Sequence, residues 1–394
     1  MNYLGLYIHI PFCQSKCGYC DFYSVKASER VQDAYINALL MQMKEYTIST
    51  KNNIFDTVFI GGGTPTSIKN NDLLKIIKTA QKNFSISKGC EFTIEANPRT
   101  IDEKDLKNLY KTGVNRLSIG LQSIHDNELK ALSRIHSFED FSECYENSQQ
   151  AGFENINIDL MYGIPHQTLQ SFYATLKKVL SIKPAHISVY GLKIEPGTKF
   201  YAMRENFQMF LPDEDTERNM YLMCCELLER NGYNQYEISN FCRKGYECKH
   251  NLKYWNCMEY IGLGVSAHSY FNNYRFSFKK NIKDYIKSFS YNQNNMENIG
   301  VFDLERYNLF DEYTEIKPNE RIGEFIMLSF RLKSGIDKNK FARLFHKDFD
   351  YQYYNRIQPF IDSGHIIQTT SGYALSREGM FVSNYILSRI LDFE

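Results

Sequence analysis

The sequence has no surplus of either charge, with 46 Lys and Arg against 46 Asp and Glu. A neutral chain offers no global field to attract nucleic acid or an anionic membrane surface, and no basic stripe stands out. No stretch approaches the roughly 20 apolar residues that span a bilayer. The start, Met-Asn-Tyr-Leu-Gly-Leu-Tyr-Ile-His-Ile, lacks the basic and apolar regions of a secretory signal. The expectation is therefore a cytoplasmic protein without a transmembrane segment, whose ten cysteines stay reduced. Tryptophan is nearly missing, with one residue against 29 Tyr and 28 Phe.

What is present is an ordinary globular composition, 43% hydrophobic and 23% charged over 394 residues, enough for two or three domains. Short apolar runs recur at Leu6–Ile10, Thr57–Ile60, Glu91–Ala96, Arg116–Leu121, Asn155–Met161 and His186–Leu192. Several look almost continuously apolar, as strands covered on both faces do. Helical patterns lie between them, at Val31–Met43, Asp72–Phe84, Asp102–Tyr110 and Leu169–Leu180. This alternation predicts βα units, a mostly parallel sheet and an α/β fold. Six strands are too few for a closed eight-stranded barrel, so a partial (β/α)6 TIM-like barrel is expected, with its site at the carboxyl ends of the strands.

The core is expected over 1–240, an intermediate segment over 241–300 that ends in an Asn-rich linker, and a small module over 301–394. That last part reads as helices from Arg321 onward, broken at Gly335, then a hairpin around Ser371-Gly372 and a closing helix, which looks like a winged helix. Such modules often bind DNA, but without a basic excess a structural or docking role is expected here.

The cysteines are unevenly spaced. Cys13, Cys17 and Cys20 fall within eight residues, immediately after the first predicted strand. Three thiolates in one loop can hold three irons of a cubane cluster and leave the fourth open to a small chelating ligand. Structural zinc normally takes four ligands, and remains the competing metal. Gly61-Gly62-Gly63-Thr64-Pro65 follows the next strand and lacks the Gly-Lys-Ser/Thr of a phosphate loop. Its glycines let backbone approach a ligand closely. Glu95 with Asn97, Gln122 with Ser123, Asp159 and Tyr190 fall at or near later strand ends, and together they suggest a ligand cleft. His9, in the first strand, reads as a hydrogen-bonded core group.

Tyr7-Ile-His-Ile-Pro-Phe-Cys13, the triple-cysteine loop, Gly61–Pro65, Glu95-Ala-Asn-Pro98, Ser118-Ile-Gly-Leu-Gln122-Ser and Tyr162-Gly-Ile-Pro165 together resemble the HemN/HemW branch of the radical-SAM superfamily. The resemblance covers nearly the whole chain. It implies a radical-SAM partial barrel, a [4Fe–4S] cluster on Cys13, Cys17 and Cys20, and S-adenosylmethionine (SAM) on the open iron. One electron from the cluster then cleaves SAM to a 5′-deoxyadenosyl radical. By the same resemblance Tyr7, Gly62 and Glu95 touch SAM. Tyr19, Gly63, Thr64, Gln122, Arg134 and Asp159 match positions that face a second SAM in HemN.

Two features favour the HemW side, whose members are heme chaperones. Phe22 stands where HemN-type enzymes carry a further cysteine, and Cys13 is reached after a short N-terminal arm. His250-Asn-Leu-Lys-Tyr254-Trp255 resembles the His-Asn-x-x-Tyr-Trp motif of HemW. By resemblance His250 supplies an axial imidazole to heme, with Tyr254 and Trp255 against the porphyrin face. Cys242, Cys248 and Cys257 beside His250 leave zinc as an alternative. Gly262-Leu-Gly-Val-Ser-Ala-His268-Ser resembles a family segment near the cofactor. Three functions are carried forward: a heme chaperone serving an acceptor such as a respiratory heme protein, an oxygen-independent coproporphyrinogen III dehydrogenase, and a radical enzyme modifying nucleic acid. The neutral charge speaks against the third. A homodimer is compatible with all three.

Overall fold

The computed structural model describes residues 2–205, 210–290 and 309–391. Six strands run parallel and pair in chain order: β1 (Asn2–Ile10), β2 (Asn53–Gly62), β3 (Ile86–Ala96), β4 (Arg116–Gln122), β5 (Asn155–Tyr162) and β6 (His186–Gly191). The crossovers carry α1 (Glu29–Thr50), α2 (Asn70–Asn83), α3 (Glu103–Lys111), α4 (Asp126–Ala131), α5 (Phe138–Gln150) and α6 (Leu169–Ile182). Asp102, Ser137 and Thr168 each cap the next helix by accepting a backbone N–H with their side chains, which sets where α3, α5 and α6 begin.

The strands are buried on both faces, as the apolar runs suggested, but the two faces differ in chemistry. One row is aliphatic: Leu6, Ile8 and Ile10 on β1, Leu117, Ile119 and Leu121 on β4, Ile156, Ile158 and Leu160 on β5. It packs into one core with helix residues such as Leu39, Ile76, Leu106, Phe141 and Leu176. Each such side chain contributes about 1.5–3 kcal/mol by leaving water. The opposite row is polar: Tyr7 and His9, Glu91 and Glu95, Arg116 and Ser118, Asn157 and Asp159, His186 and Ser188. Because side chains alternate along a strand, that second row shares the opposite face of the sheet, where most of it lines a cavity.

After β6 come α7 (Lys199–Glu205) and α8 (Glu214–Arg230), then β7 (Asn234–Gln235) and β8 (Asn240–Cys242), which pair antiparallel beside β6. Helix α9 (Lys249–Trp255) leads into β9 (Tyr260–Leu263), which lies parallel to β1 on its free side. Strands β10 (His268–Phe271), β11 (Tyr274–Phe278) and β12 (Phe310–Glu315) extend that edge. The result is a twelve-stranded sheet whose edges, β12 and β7, are not paired to each other among the described residues. The start of the expected Asn-rich linker is instead α10 (Ile282–Ser290), packed on α1. Asn292, Asn294, Asn295 and Asn298 lie outside the described residues.

The tail comprises α11 (Pro318–Ser329), α12 (Lys338–Phe345), α13 (Phe349–Asp362), α14 (Arg377–Phe381) and α15 (Ser383–Ile390). Its three-stranded sheet pairs β13 (Ile336–Asp337) and β14 (Ile366–Gln368) on either side of β15 (Gly372–Leu375). A Glu237–Leu332 bridge and the Arg218–Glu378 ion pair join it to the first part of the chain.

Candidate functional site

The cysteine loop leaves the carboxyl end of β1 and is pinched at its neck. Val25 N donates to Pro11 O at 2.8 Å, and Cys13 N donates to Val25 O at 3.2 Å. Inside the loop Cys20 N turns back onto Cys17 O, and Gly18 is clasped between Leu132 O and Phe200 N. The three thiols, all half-buried, line a pocket of about 150 Å³ with Tyr19, Gly62, Gly63, Thr64, Glu95, Gln122, Arg134 and Asp159. Eleven residues singled out from the sequence thus meet in one place. Phe22, Gly62, Glu95, Ser118 and Asp159 also line a neighbouring cavity of about 530 Å³ along the polar face of the sheet, where Tyr7, His250, Tyr254 and His268 lie. That volume is in the range of small-ligand sites.

Backbone packs closely against the loop. Gly63 passes so close that a Cβ there would sit 2.6 Å from Phe12 O and 3.0 Å from Cys13 Sγ. Burial pushes the Cys20 thiol up to about 11, so a thiolate there at neutral pH would need an adjacent cation such as a metal ion. Among the described residues no three His, Cys, Asp or Glu side chains converge as ligands of a single metal ion.

Around the loop the polar groups are oriented by one another. Arg134 donates from Nη1 to Cys17 Sγ (3.4 Å), and from Nη2 to Asn97 Oδ1 (2.8 Å) and Gly120 O (2.9 Å). Asn97 in turn donates to Thr64 Oγ1 at 2.8 Å, and Thr64 Oγ1 is 3.7 Å from Cys13 Sγ. The Nε of Arg134 is buried without a partner, an available donor for an anionic ligand group. Gln122 ends β4 at φ +70°, a left-handed conformation that costs a non-glycine residue about 1–3 kcal/mol and turns the chain inward at the pocket.

Glu95 accepts the Gly62 N–H at 3.0 Å, and Gly62 is free to sit at φ +116° because it has no Cβ. Burial first, then the neighbouring Asp159 charge, pushes Glu95 up to about 8, so at neutral pH it keeps its proton. Asp159 is also shifted up by burial, despite hydrogen bonds from Ser118 (2.9 Å) and Asn157 (2.9 Å). A cationic ligand entering this space would favour the carboxylate form of Glu95. His9 behaves as the core group expected. Its nitrogens meet Tyr7 OH (3.0 Å) and Tyr23 O (2.9 Å), and burial lowers it to about 4.

Helix α9 lies against the lower wall of the larger cavity. Glu91 accepts the Lys249 and His250 N–H groups, each at 3.0 Å, and Lys253 pairs with Asp56 at 2.7 Å. The His250 ring is buried, with Nδ1 paired to Thr57 Oγ1 (2.9 Å) and Nε2 to Tyr254 OH (2.8 Å). Burial, then Lys253 and Arg116, lower it to about 3, so it is neutral. Trp255 is not brought to the cavity. Its ring lies under Arg331 of the C-terminal module, 5.7 Å from the centroid.

Sequence reading missed a second set on the cavity wall: Arg116, Ser118, Asn157 and Ser188. Asn157 is their hub, bonded to Ser118, Asp159, Ser188 and His186, and His186 continues to Tyr236 OH at 2.8 Å. The signal was available, because Arg116-Leu-Ser-Ile-Gly-Leu-Gln and Asn155-Ile-Asn-Ile-Asp-Leu alternate strictly between polar and apolar.

The model of the radical SAM superfamily matches residues 7–179, and that of the HemN C-terminal domain matches 316–382. The chain is 34% identical over 386 residues to the heme chaperone HemW of Bacillus subtilis (strain 168), covering 98% of each. It is 36% identical over 266 residues to HemW of Escherichia coli (strain K12), covering 67% of this chain and 69% of that one. This chain belongs to the HemW family of radical-SAM proteins. The solved structure of coproporphyrinogen III oxidase (HemN) from E. coli superimposes with a TM-score of 0.84 over 100% of this chain and 91% of that one, at 22% identity, which shows the shared fold. Membership implies a [4Fe–4S] cluster and SAM. In this HemW-family chain Cys13, Cys17 and Cys20 would hold the cluster, and Glu95, Gly62, Asp159 and the free edge of Arg134, which line the same pocket, would face SAM. When bound, the pair supplies one-electron reductive chemistry. Among the described residues no helix is long and apolar enough to cross a membrane.

Proposed function

We propose that this chain is a cytoplasmic heme chaperone. It binds heme as cargo, carries one [4Fe–4S] cluster and SAM at the cysteine loop, and passes heme to an acceptor protein. The observation that carries this reading is the seating of His250 and Tyr254 on the same cavity as Tyr7, Gly62, Glu95 and Asp159. His250 and Tyr254, two residues of the motif by which the chain resembles HemW, thus share a cavity with the residues assigned here to SAM, in a chain whose relatives of near-equal length are heme chaperones.

His250 is the axial-ligand candidate, under a specific condition. Both of its nitrogens are engaged, so iron can be bound only by giving up a hydrogen bond, and the Tyr254 bond to Nε2 is the one facing the cavity residues. Trp255, turned toward Arg331, is assigned to holding α9 against the C-terminal module rather than to the porphyrin.

The test offers anaerobically reconstituted protein both heme and coproporphyrinogen III, and scores stable heme binding against CO2 release. The chaperone reading expects heme binding without CO2. CO2 released in step with SAM cleavage would replace it with the dehydrogenase reading. Under the same conditions His250→Ala should weaken heme binding with the cluster absorbance intact, and Tyr254→Phe, which frees Nε2, should strengthen it. Unchanged heme affinity in both would remove His250 from the site.

A further inference from the structure

Arg134 contacts the cluster loop in a way that the SAM role implied by resemblance does not use. Its guanidinium is fixed from two sides, by Asn97 Oδ1 and Gly120 O on Nη2, and it turns Nη1 onto Cys17 Sγ at 3.4 Å. Asn97 is itself held by Thr64, and Gly120 O belongs to β4, so the group cannot swing away without breaking contacts with two strand ends. At Cys13 the hydrogen-bonding group beside the sulfur is the neutral Thr64 hydroxyl. No cation other than Arg134 donates to a sulfur of the loop among the hydrogen bonds of the described residues; Lys16 of the loop points its ammonium to Phe22 O at 3.2 Å.

We propose that Arg134 is a positioning residue that sets the reduction potential of the cluster through Cys17. This rests on the cluster assignment made above. The physics is direct. Reduction adds one negative charge to the cubane and its thiolates. A fixed cation and an N–H···S bond at one thiolate stabilise that added charge in a low-dielectric site, so the potential is raised. The effect is also local, because the iron on Cys17 is the one whose ligand gives electron density to a donor. The buried Nε, left without a partner, makes the same side chain able to take an anionic group of a ligand. An anion there would offset part of the guanidinium field and pull the potential down again, so Arg134 would report occupancy of the pocket to the cluster.

The experiment is an EPR-monitored redox titration with dithionite, under strict anaerobiosis, on the reconstituted full chain. Arg134→Gln should move the midpoint to more negative potential, and Arg134→Lys, which keeps charge but loses the fork, should fall between it and wild type. A second measurement needs no variant: protein labelled with ¹⁵N-arginine, reduced and examined by ENDOR, should show a weak nitrogen coupling to the cluster. Variants that hold a cluster at the wild-type potential would overturn the proposal, as would an absent ¹⁵N coupling if the variants fail to assemble one. Failure of the wild type itself to assemble a cluster would instead overturn the cluster assignment.

Discussion

His250 Nδ1 and Thr57 Oγ1 lie 2.9 Å apart across 193 residues of sequence, and this contact ties α9 to β2 at the lower wall of the cavity. Thr57 and His250 are both buried, so removing the hydroxyl leaves a ring nitrogen with no partner and no water. Thr57→Val is expected to destabilise the chain by about 1–3 kcal/mol in urea unfolding. The cluster loop lies at the other end of the strands, so iron and sulfide content after reconstitution should stay at the wild-type level.

The same imidazole gives a pH signature. His250 is lowered to about 3 in the folded chain, whereas in the unfolded chain it titrates near 6.5. The unfolded state therefore binds the extra proton between these values, and the stability contributed by the neutral ring is present above about pH 6.5 and is lost as pH falls toward 3. His250→Gln lacks this proton uptake. The stability gap between wild type and variant should narrow by up to about 1.4 kcal/mol per pH unit below about pH 6. A gap independent of pH would show that the ring is not held neutral.

Glu95 works with the opposite sign. Its folded value of about 8 means the SAM-free protein carries a proton there at neutral pH. A sulfonium or ammonium group beside it favours the carboxylate, so binding releases that proton. SAM affinity should rise with pH from about 6 and level off above about 8. Calorimetry in buffers of different ionisation enthalpy should register up to one proton released. Glu95→Gln should abolish both the pH dependence and the proton release.

Two glycines separate a cradle from a spacer. Gly63→Ala puts a methyl against Phe12 O and Cys13 Sγ, backbone and ligand that cannot both yield, whereas Gly89 has nothing within 4 Å of the same position. Gly63→Ala should lose most of its iron and sulfide on reconstitution, and Gly89→Ala should retain both. Equal cluster content in the two variants would remove the close approach from the account.

The loop cysteines, the Gly-rich turn and Glu95 were legible because their chemistry is local: three thiols in eight residues need no tertiary knowledge to be noticed. The six βα units were legible from periodicity. Arg116, Asn157 and His186 were not singled out, because the aliphatic alternate positions of their strands dominated the apolar pattern and hid the polar row. Strand β9 was missed for a different reason. Tyr260–Leu263 is four residues long and pairs with β1 more than 250 residues earlier, a non-local ladder that no window of sequence contains. Trp255 shows the limit of a motif. It lies next to Tyr254 in sequence, yet one step along a helix turns it about 100° away from the cavity and toward Arg331.

The most direct measurement is the EPR spectrum of the dithionite-reduced, anaerobically reconstituted protein recorded with and without SAM. Three protein thiolates with one iron corner left for a ligand predict a cubane signal whose g-values shift on SAM addition. A signal indifferent to SAM, or protein that takes up zinc and no iron, would contradict the assignment of Cys13, Cys17 and Cys20 and the functional account built on it.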